Sequence, residues 1–338
     1  MSKRIDIGDF ILANLETHTA DIVTYTAHQF GISRQRIHQY LLGLIAEGKI
    51  IKTGKTSDTR YFLTTGKILE FEEKITKDLA EDKIWTQFVR PMLIRYPDNI
   101  YKICQYGFTE IYNNAIDHSE GSIIFSRIEA EPNEIKITIM DNGIGIFEKI
   151  QRALNLSSPR EAILHLSKGK FTTDRSKHTG EGIFFTSRIC DSFSILSSDM
   201  YYTFRNNDWF LSDQRREDFG NGTFIKMRIS LPSEKTVKGV MDRYSDSEIG
   251  FGKTIVAVRL SADADDPHIS RSQAKRLLIG LDRFQHVVLD FNRVEEVGQA
   301  FIDEIFRVFQ NEYPNMRIDY VNARPDVQSM IDRVKATK

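Results

Sequence analysis

The segment that decides the fold is GFTEIYNNAIDHSEG, residues 107–121. Positions i, i+4, i+7 and i+8 lie on one side of an α-helix. In this segment those positions carry an acid, an amide, a second acid and an imidazole: Glu110, Asn114, Asp117 and His118. A solvated helix face usually mixes Lys with Glu, whereas this face has no Lys or Arg, and an apolar stripe occupies another side. We therefore predict an amphipathic helix whose polar face has a chemical function.

The bulk composition bounds the class of protein. The chain has 338 residues, of which 41% are hydrophobic and 28% charged, with a net charge of -1. These values are typical of a globular protein with two or three domains, and the overall charge does not by itself point to a nucleic-acid or membrane partner. Cys104 and Cys190 lie in apolar runs, as core thiols do in a reducing compartment. No apolar run approaches the roughly 18 to 20 residues of a spanning helix, and the start lacks a signal-peptide core, so we expect a cytoplasmic protein.

Residues 1–65 predict a small helical unit that ends in a hairpin. Two short amphipathic helices come first, Gly31 breaks the chain, and Ser33 is placed to cap a third helix. Two β-prone runs then flank a polar turn. This order resembles the winged helix-turn-helix family, which implies that the third helix enters a DNA major groove. The residues expected to contact DNA are Arg34, Gln35, Arg36, His38 and Gln39 on the helix, and Lys49, Lys52, Lys55 and Arg60 on the hairpin.

The charge of this segment leaves its partner open. Residues 1–65 contain eight Lys or Arg and six Asp or Glu, a net of +2. Many winged helices bind proteins instead of DNA. The sequence therefore predicts either a DNA partner or a protein partner for residues 1–65.

The middle of the chain predicts a mixed helix and sheet domain. Residues 67–106 have a helical pattern with a break near Pro97, which predicts a leading helix over residues 67–100. Strands and helices then alternate to about residue 230 and include a hairpin around residues 132–133. Such a sheet with helices on one side is an α+β layer.

Three glycine-bearing segments follow the opening helix: MDNGIGIF, SKHTGEGIFF and GNGTFIKMRI. In the first segment, a strand ends in an acid that can accept a hydrogen bond from an exocyclic amine. The glycines of this segment let the backbone approach a ligand closely. In the second, glycines stand at a helix start, where free N–H groups favour phosphate. The third offers a hydroxyl at the start of a strand. The positions are Asp141, Gly143 and Gly145, then Gly180 and Gly182, then Thr223.

The four motifs together resemble the GHKL ATPase superfamily, which includes DNA gyrase, a heat-shock chaperone, histidine kinases and mismatch-repair ATPases. In order they read Glu-x3-Asn-Ala-x-Asp-His, Asp-x-Gly-x-Gly, Thr-Gly-x-Gly-Ile and Gly-Thr. The resemblance implies a Bergerat-type α/β sandwich that binds ATP and Mg²⁺. It implies that Asn114 binds the metal, that Glu110 is the general base and that Asp141 accepts from the adenine amine. It also assigns Gly143 and Gly145 to the turn under the base, Gly180 and Gly182 to the phosphates, and Thr223 to the position behind the acid.

The resemblance further places a nucleotide lid at about residues 147–179. The polar run SKGKFTTDRSKH in this range carries four cations that would lie beside the triphosphate: Lys168, Lys170, Arg175 and Lys177. Of these, Lys170 is the residue we assign to the nucleotide, and a basic surface loop is the alternative. His118 is expected at the edge of the site, with a neutral, hydrogen-bonded histidine as the alternative. Asp117 either orients the site or is simply solvated.

The last part of the chain resembles a STAS-like domain, the fold of anti-sigma-factor antagonists. Strand, loop and helix follow each other in VVLDFNRVEEVGQAFIDEIFRVF. In such antagonists a phosphorylatable serine begins this helix. Here Gly298, Gln299 and Ala300 stand at that place and none has a hydroxyl, which argues against phosphorylation of the tail there. A docking or dimerisation role is the alternative.

The sequence thus predicts an α+β protein in which a GHKL Bergerat-type domain is flanked by a winged helix-turn-helix and a small STAS-like α/β domain. The expected bounds are residues 1–65, 67–235 and 250–338. The leading functional hypothesis is an Mg²⁺-dependent, ATP-driven conformational switch with a DNA- or partner-binding winged helix. The alternatives are a protein kinase of the anti-sigma or histidine-kinase class that acts on a separate protein, and a scaffold without turnover.

Overall fold

The computed structural model describes residues 6–54, 59–63, 67–94, 96–131, 133–170, 180–205, 208–213, 221–246, 250–261 and 270–336. It divides into two compact units. The first contains Met1–Gly143, Ile189–Ile195 and Gly222–Val237, and the second contains Ile144–Arg188, Leu196–Asn221 and Lys238–Lys338. No described helix is both long enough and apolar enough to cross a membrane.

The first unit begins with three helices and a hairpin. They are α1 (Ile7–Asn14), α2 (Ile22–Phe30), α3 (Arg34–Ala46), β1 (Ile50–Thr53) and β2 (Arg60–Leu63). Gly31 ends α2 in the left-handed region at φ 65°, and the Ser33 hydroxyl caps α3 by accepting from the Arg36 N–H. Apolar side chains from each of these elements form one buried cluster. These elements confirm the predicted order, and the winged-helix family itself stays a prediction.

The predicted leading helix over residues 67–100 is wrong at its start, because Lys67–Lys74 is a strand, β3. Glu and Lys are frequent in this run and suggested a helix. Its side chains instead alternate in burial, and the whole strand pairs antiparallel with β4 (Ile123–Ala130). Glu70 forms a cross-strand ion pair with Arg127, and such long-range pairing overrides local helix propensity.

A helical run follows β3 and comprises α4 (Glu81–Ile84), a π-helical turn (Trp85–Val89) and α5 (Arg90–Leu93). Pro97 then precedes the long helix α6 (Asp98–His118), so the predicted break is confirmed. The sheet of this unit has the order β3-β4-β5-β9-β6, with β5 Glu134–Asp141, β9 Thr223–Ser230 and β6 Ser192–Ser197. Helix α6 packs on β5 and β9 through its apolar stripe, which includes Phe108 and Ile111.

The second unit contains α7 (Ile146–Leu154), α8 (Pro159–Lys168), α9 (Gly182–Ile189) and the antiparallel pair β7 (Met200–Arg205) and β8 (Asp208–Asp213). Ser198 has φ 52° and turns the chain between β6 and β7. Helix α10 (Val237–Met241) and the short strands β10 (Ser245–Asp246) and β11 (Gly250–Phe251) lead into the last region.

The C-terminal domain, as we call residues 250–336, has a parallel sheet of order β12-β13-β14: Lys253–Ala257, His286–Asp290 and Arg317–Val321. Helix α11 (Arg271–Leu278) connects β12 to β13. A continuous helical run, α12 (Gln299–Asp303), a π-helical segment (Glu304–Phe309) and α13 (Gln310–Glu312), connects β13 to β14. Helix α14 (Pro325–Ala336) follows. Parallel strands joined by helices are the α/β architecture predicted for this region.

Candidate nucleotide-binding site

Asp141 lies at the end of β5 on the buried face of the sheet. The preceding isoleucines at positions 135, 137 and 139 alternate into the core, and the carboxylate continues their row with 8% of its surface exposed. The backbone N–H groups of Gly143 and Thr223 donate to its Oδ1, at 2.9 and 3.3 Å. Burial raises the pKa of Asp141, and these N–H donors together with the Thr223 side chain oppose the rise. The structure therefore brings Asp141, Gly143 and Thr223 together, as the sequence predicted.

The backbone segments at Ser119, Asp141–Gly143 and Gly222 approach one another closely at this turn, and they leave no room for a Cβ atom at either glycine. A Cβ added to Gly143 would lie 2.0 Å from the Ser119 carbonyl oxygen, and one added to Gly222 would lie 2.0 Å from the Asp141 carbonyl oxygen. No side chain fits at either position. The contact between Gly143 and Ser119 also ties the turn to the C-terminal end of α6.

Asn142 fixes this turn, although our sequence reasoning treated it as the unspecified residue of Asp-x-Gly. Its Oδ1 accepts from the Ser122 and Ile123 N–H groups at 2.8 and 3.1 Å, and its Nδ2 donates to the Ser122 hydroxyl at 3.0 Å. Asn favours turns because its amide bonds to backbone nearby in space. This preference was the one signal in the sequence that could have identified it.

The polar face of α6 is formed as predicted. Glu110, Asn114 and His118 are half-buried at successive turns of the helix, and Asp117 is exposed. Among the described residues, no group of three or more His, Cys, Asp or Glu side chains could hold a metal ion alone. A cation at Asn114 would need further oxygen ligands from phosphate and water, as Mg²⁺ commonly takes.

The second unit holds the remaining predicted glycines. Gly145 has φ 88° and precedes α7, and a Cβ there would lie 2.3 Å from the Asn221 carbonyl oxygen. Gly180 has φ 73°, and Gly182 is the first residue of α9. Both strain and lack of space therefore demand glycine at Gly145. Arg175 and Lys177 lie outside the described residues.

Two of the four cations expected beside the triphosphate, Lys168 and Lys170, lie in the described residues, and both contact the C-terminal domain. Lys168 was expected in a polar run beside the triphosphate, but it is the last residue of α8 and only 2% exposed. That expectation is wrong for Lys168, because the apolar residues of PREAILHLSK form a buried helix. The Lys170 ammonium donates to the Arg283 carbonyl oxygen at 2.9 Å and lies 4.9 Å from the centre of the Phe284 ring.

The family comparisons agree with these features. Residues 102–235 match the family described as histidine kinase-, DNA gyrase B- and HSP90-like ATPase, and residues 273–328 match a STAS-like domain of unknown function (DUF4325). None of the curated proteins compared with the chain is similar to it. The chain therefore carries an ATP-binding domain of the GHKL type at residues 102–235 and a STAS-like domain at residues 273–328.

Proposed function

We propose that this chain is a cytoplasmic regulatory protein that changes conformation when it binds ATP with Mg²⁺. The observation that carries the proposal is Asp141, a buried carboxylate whose Oδ1 holds two backbone N–H groups at a turn with no space for a Cβ. Such a carboxylate is fixed in orientation and can accept from an exocyclic amine. The same turn lies against the end of the helix that carries Asn114.

The proposed roles follow the chemistry of each residue. Asp141 accepts from the adenine amine, with Thr223 behind it, and Gly143 and Gly145 leave room for the base. Asn114 supplies an amide oxygen to Mg²⁺, which neutralises phosphate charge. Glu110 stands one helical turn from Asn114 and can accept a proton from water. The phosphate-side residues are Gly180 and Gly182 at the start of α9, His118 at the edge of the site, and Lys170.

Turnover of ATP is the first point to test, and Glu110 decides it. If Glu110 activates water, Glu110→Gln lowers phosphate release by about 100-fold or more while ATP affinity stays within a few-fold of the wild type. The matched control is Glu72→Gln, because Glu72 is an exposed acid on β3. Unchanged phosphate release in Glu110→Gln would contradict the role of general base.

A protein kinase that acts on a separate protein is the second candidate. No histidine occurs in residues 67–117, so no phosphoacceptor helix precedes the ATPase domain there. Helix α12 begins at Gln299 with Gly298 as its cap, so the start of this helix offers no hydroxyl. Both observations favour a target on another chain. Labelled ATP incubated with candidate partners discriminates the two, since a kinase labels protein and an ATPase releases free phosphate.

We also propose DNA as the partner of residues 1–65. Helix α3 exposes Arg34, Gln35, Arg36, His38 and Gln39, and Lys52 is exposed on β1, whereas Lys55 lies outside the described residues. Opposing charges reduce the basic surface, because Lys49 pairs with Glu47 at 2.8 Å. Binding through phosphate contacts would make log affinity fall with log salt, with a slope of about -0.9 for each contact. Lys52→Ala on the hairpin, where phosphate contacts are expected, should reduce that slope by about 1, and a slope near zero would favour a protein partner.

A further inference from the structure

The last residue of α8, Lys168, forms hydrogen bonds with the C-terminal domain. The buried Lys168 ammonium donates to the carbonyl oxygens of Arg276 and Ile279, at 3.3 and 3.0 Å. These carbonyls belong to the end of α11, where a helix leaves acceptors without intrahelical partners and its dipole favours a cation. In return, the Thr254 hydroxyl donates to the Lys168 carbonyl oxygen at 2.7 Å. Lys168 therefore caps a helix that lies more than a hundred positions later in the chain.

The turn after α8 has a strained conformation and packs against Phe184 of α9 and Phe251 of the C-terminal domain. Gly169 has φ 80°, and a Cβ there would lie 2.8 Å from Phe184 and 2.9 Å from Phe251. Lys170 has φ 54°, in the left-handed region that non-glycine residues rarely adopt. Such strain persists only where the surrounding structure fixes it. The contacts with Phe184 and Phe251 supply that restraint.

Lys170 contacts the C-terminal domain through both its side chain and its backbone. Its ammonium donates to the Arg283 carbonyl oxygen at 2.9 Å, and the Arg283 Nη1 donates to the Lys170 carbonyl oxygen at 3.0 Å. The ammonium also lies 4.9 Å from the Phe284 ring centre and 5.4 Å from that of Phe251. Both distances are within the range of a cation–π interaction. The C-terminal domain therefore supplies this ammonium with one carbonyl acceptor and two ring faces.

We infer that the C-terminal domain inhibits nucleotide binding by holding Lys170, so that ATP and this docking contact compete for one cation. The inference rests on the proposed function, in which Lys170 serves the phosphates of ATP. The ammonium must leave the two ring faces and the Arg283 carbonyl before it can bind phosphate. Linkage is reciprocal, so ATP weakens the docking of the Lys170 turn by the same factor as docking weakens ATP binding.

A double-mutant cycle on the full chain tests this competition. Phe284→Leu keeps an apolar side chain and removes one ring face, so it should tighten ATP binding by about three- to tenfold. In the Lys170→Met background the same change should leave ATP affinity within twofold, because no cation remains to be released. If Phe284→Leu does not fold, Arg283→Gln replaces it. Arg283 is more exposed than Phe284, and its substitution removes the hydrogen bond from the Arg283 side chain to the Lys170 carbonyl oxygen.

Hydrogen exchange supplies the second measurement. Addition of ATP should raise exchange at the amides of residues 281–286 in the wild type, and should have no such effect in Lys170→Met. One set of results would overturn the inference and leave the proposed function standing. In that case the wild type binds ATP, Phe284→Leu and Arg283→Gln leave ATP affinity unchanged, and ATP does not change exchange at residues 281–286. Absence of ATP binding at millimolar nucleotide would instead overturn the proposed function, and the inference with it.

Discussion

Asp141→Asn tests the base-binding role of the carboxylate with the smallest change in shape. Its Oδ1 accepts from the Gly143 and Thr223 N–H groups, and an asparagine can present a carbonyl oxygen to the same two donors. The other oxygen, which would face the adenine amine, becomes an NH₂ group. The asparagine NH₂ group would then face the NH₂ group of adenine, and two donors cannot form a hydrogen bond. The adenine amine therefore loses its acceptor, while the turn around residue 141 is preserved.

The magnitude follows from the kind of hydrogen bond that is lost. A bond to a charged acceptor contributes about 1.5 to 3 kcal/mol, so ATP affinity should fall by about 10- to 150-fold. Folding stability should not fall. Burial raises the pKa of Asp141 above its unfolded value, so ionisation of this group costs stability at neutral pH, and Asn removes that cost.

Calorimetric titration with ATP in the presence of Mg²⁺ measures the affinity, and thermal unfolding checks the fold. Asp98→Asn is the matched control, because Asp98 is an exposed acid at the other end of α6, and it should bind ATP as the wild type does. If Asp141→Asn folds normally and binds ATP within twofold of the wild type, the carboxylate does not hold the base.

Three further predictions concern single residues. Gly143→Ala should abolish ATP binding, because its Cβ would lie 2.0 Å from the Ser119 carbonyl oxygen, whereas Gly43→Ala in α3, where nothing lies within 4 Å, should keep it; equal binding by both would refute the steric argument. Burial lowers the pKa of His165 to about 3, so the unfolded chain binds the extra proton between about pH 6.5 and 3, and stability falls by roughly 3 to 5 kcal/mol as pH falls through that window. Denaturant titrations should show a flatter profile for His165→Gln, and parallel profiles would contradict the assignment. The buried Tyr112 hydroxyl has no hydrogen-bond partner among the described residues, so Tyr112→Phe should raise the free energy of unfolding by about 1 kcal/mol, and a lowered melting temperature would count against this.

The arrangement of residues at the centre of the candidate site could be predicted from the sequence because its signals are local. The polar face of α6 follows from helical spacing alone, and Asp141 follows from its place at the end of an alternating strand. Asn142 was missed because its partners, Ser122 and Ile123, are close to it in space and about 20 positions away in the chain. Its role depends on the pairing of β4 with β5.

Elements that depend on distant partners were predicted less well. Strand β3 has the composition of a helix, and its pairing with β4 decides its structure. Lys168 was placed beside a ligand because of its charge. Its acceptors, the carbonyl oxygens of Arg276 and Ile279, lie 108 and 111 positions further along the chain, and no local pattern indicates such a contact.

The central claim is that ATP binds between the Asp141 turn and the polar face of α6. A crystal structure of the full chain with Mg²⁺ and a non-hydrolysable ATP analogue tests it most directly. We predict the adenine amine within hydrogen-bond distance of the Asp141 carboxylate, and the metal ion on the side-chain oxygen of Asn114. A nucleotide bound elsewhere, or no nucleotide at Asp141 at millimolar concentration, would contradict the account.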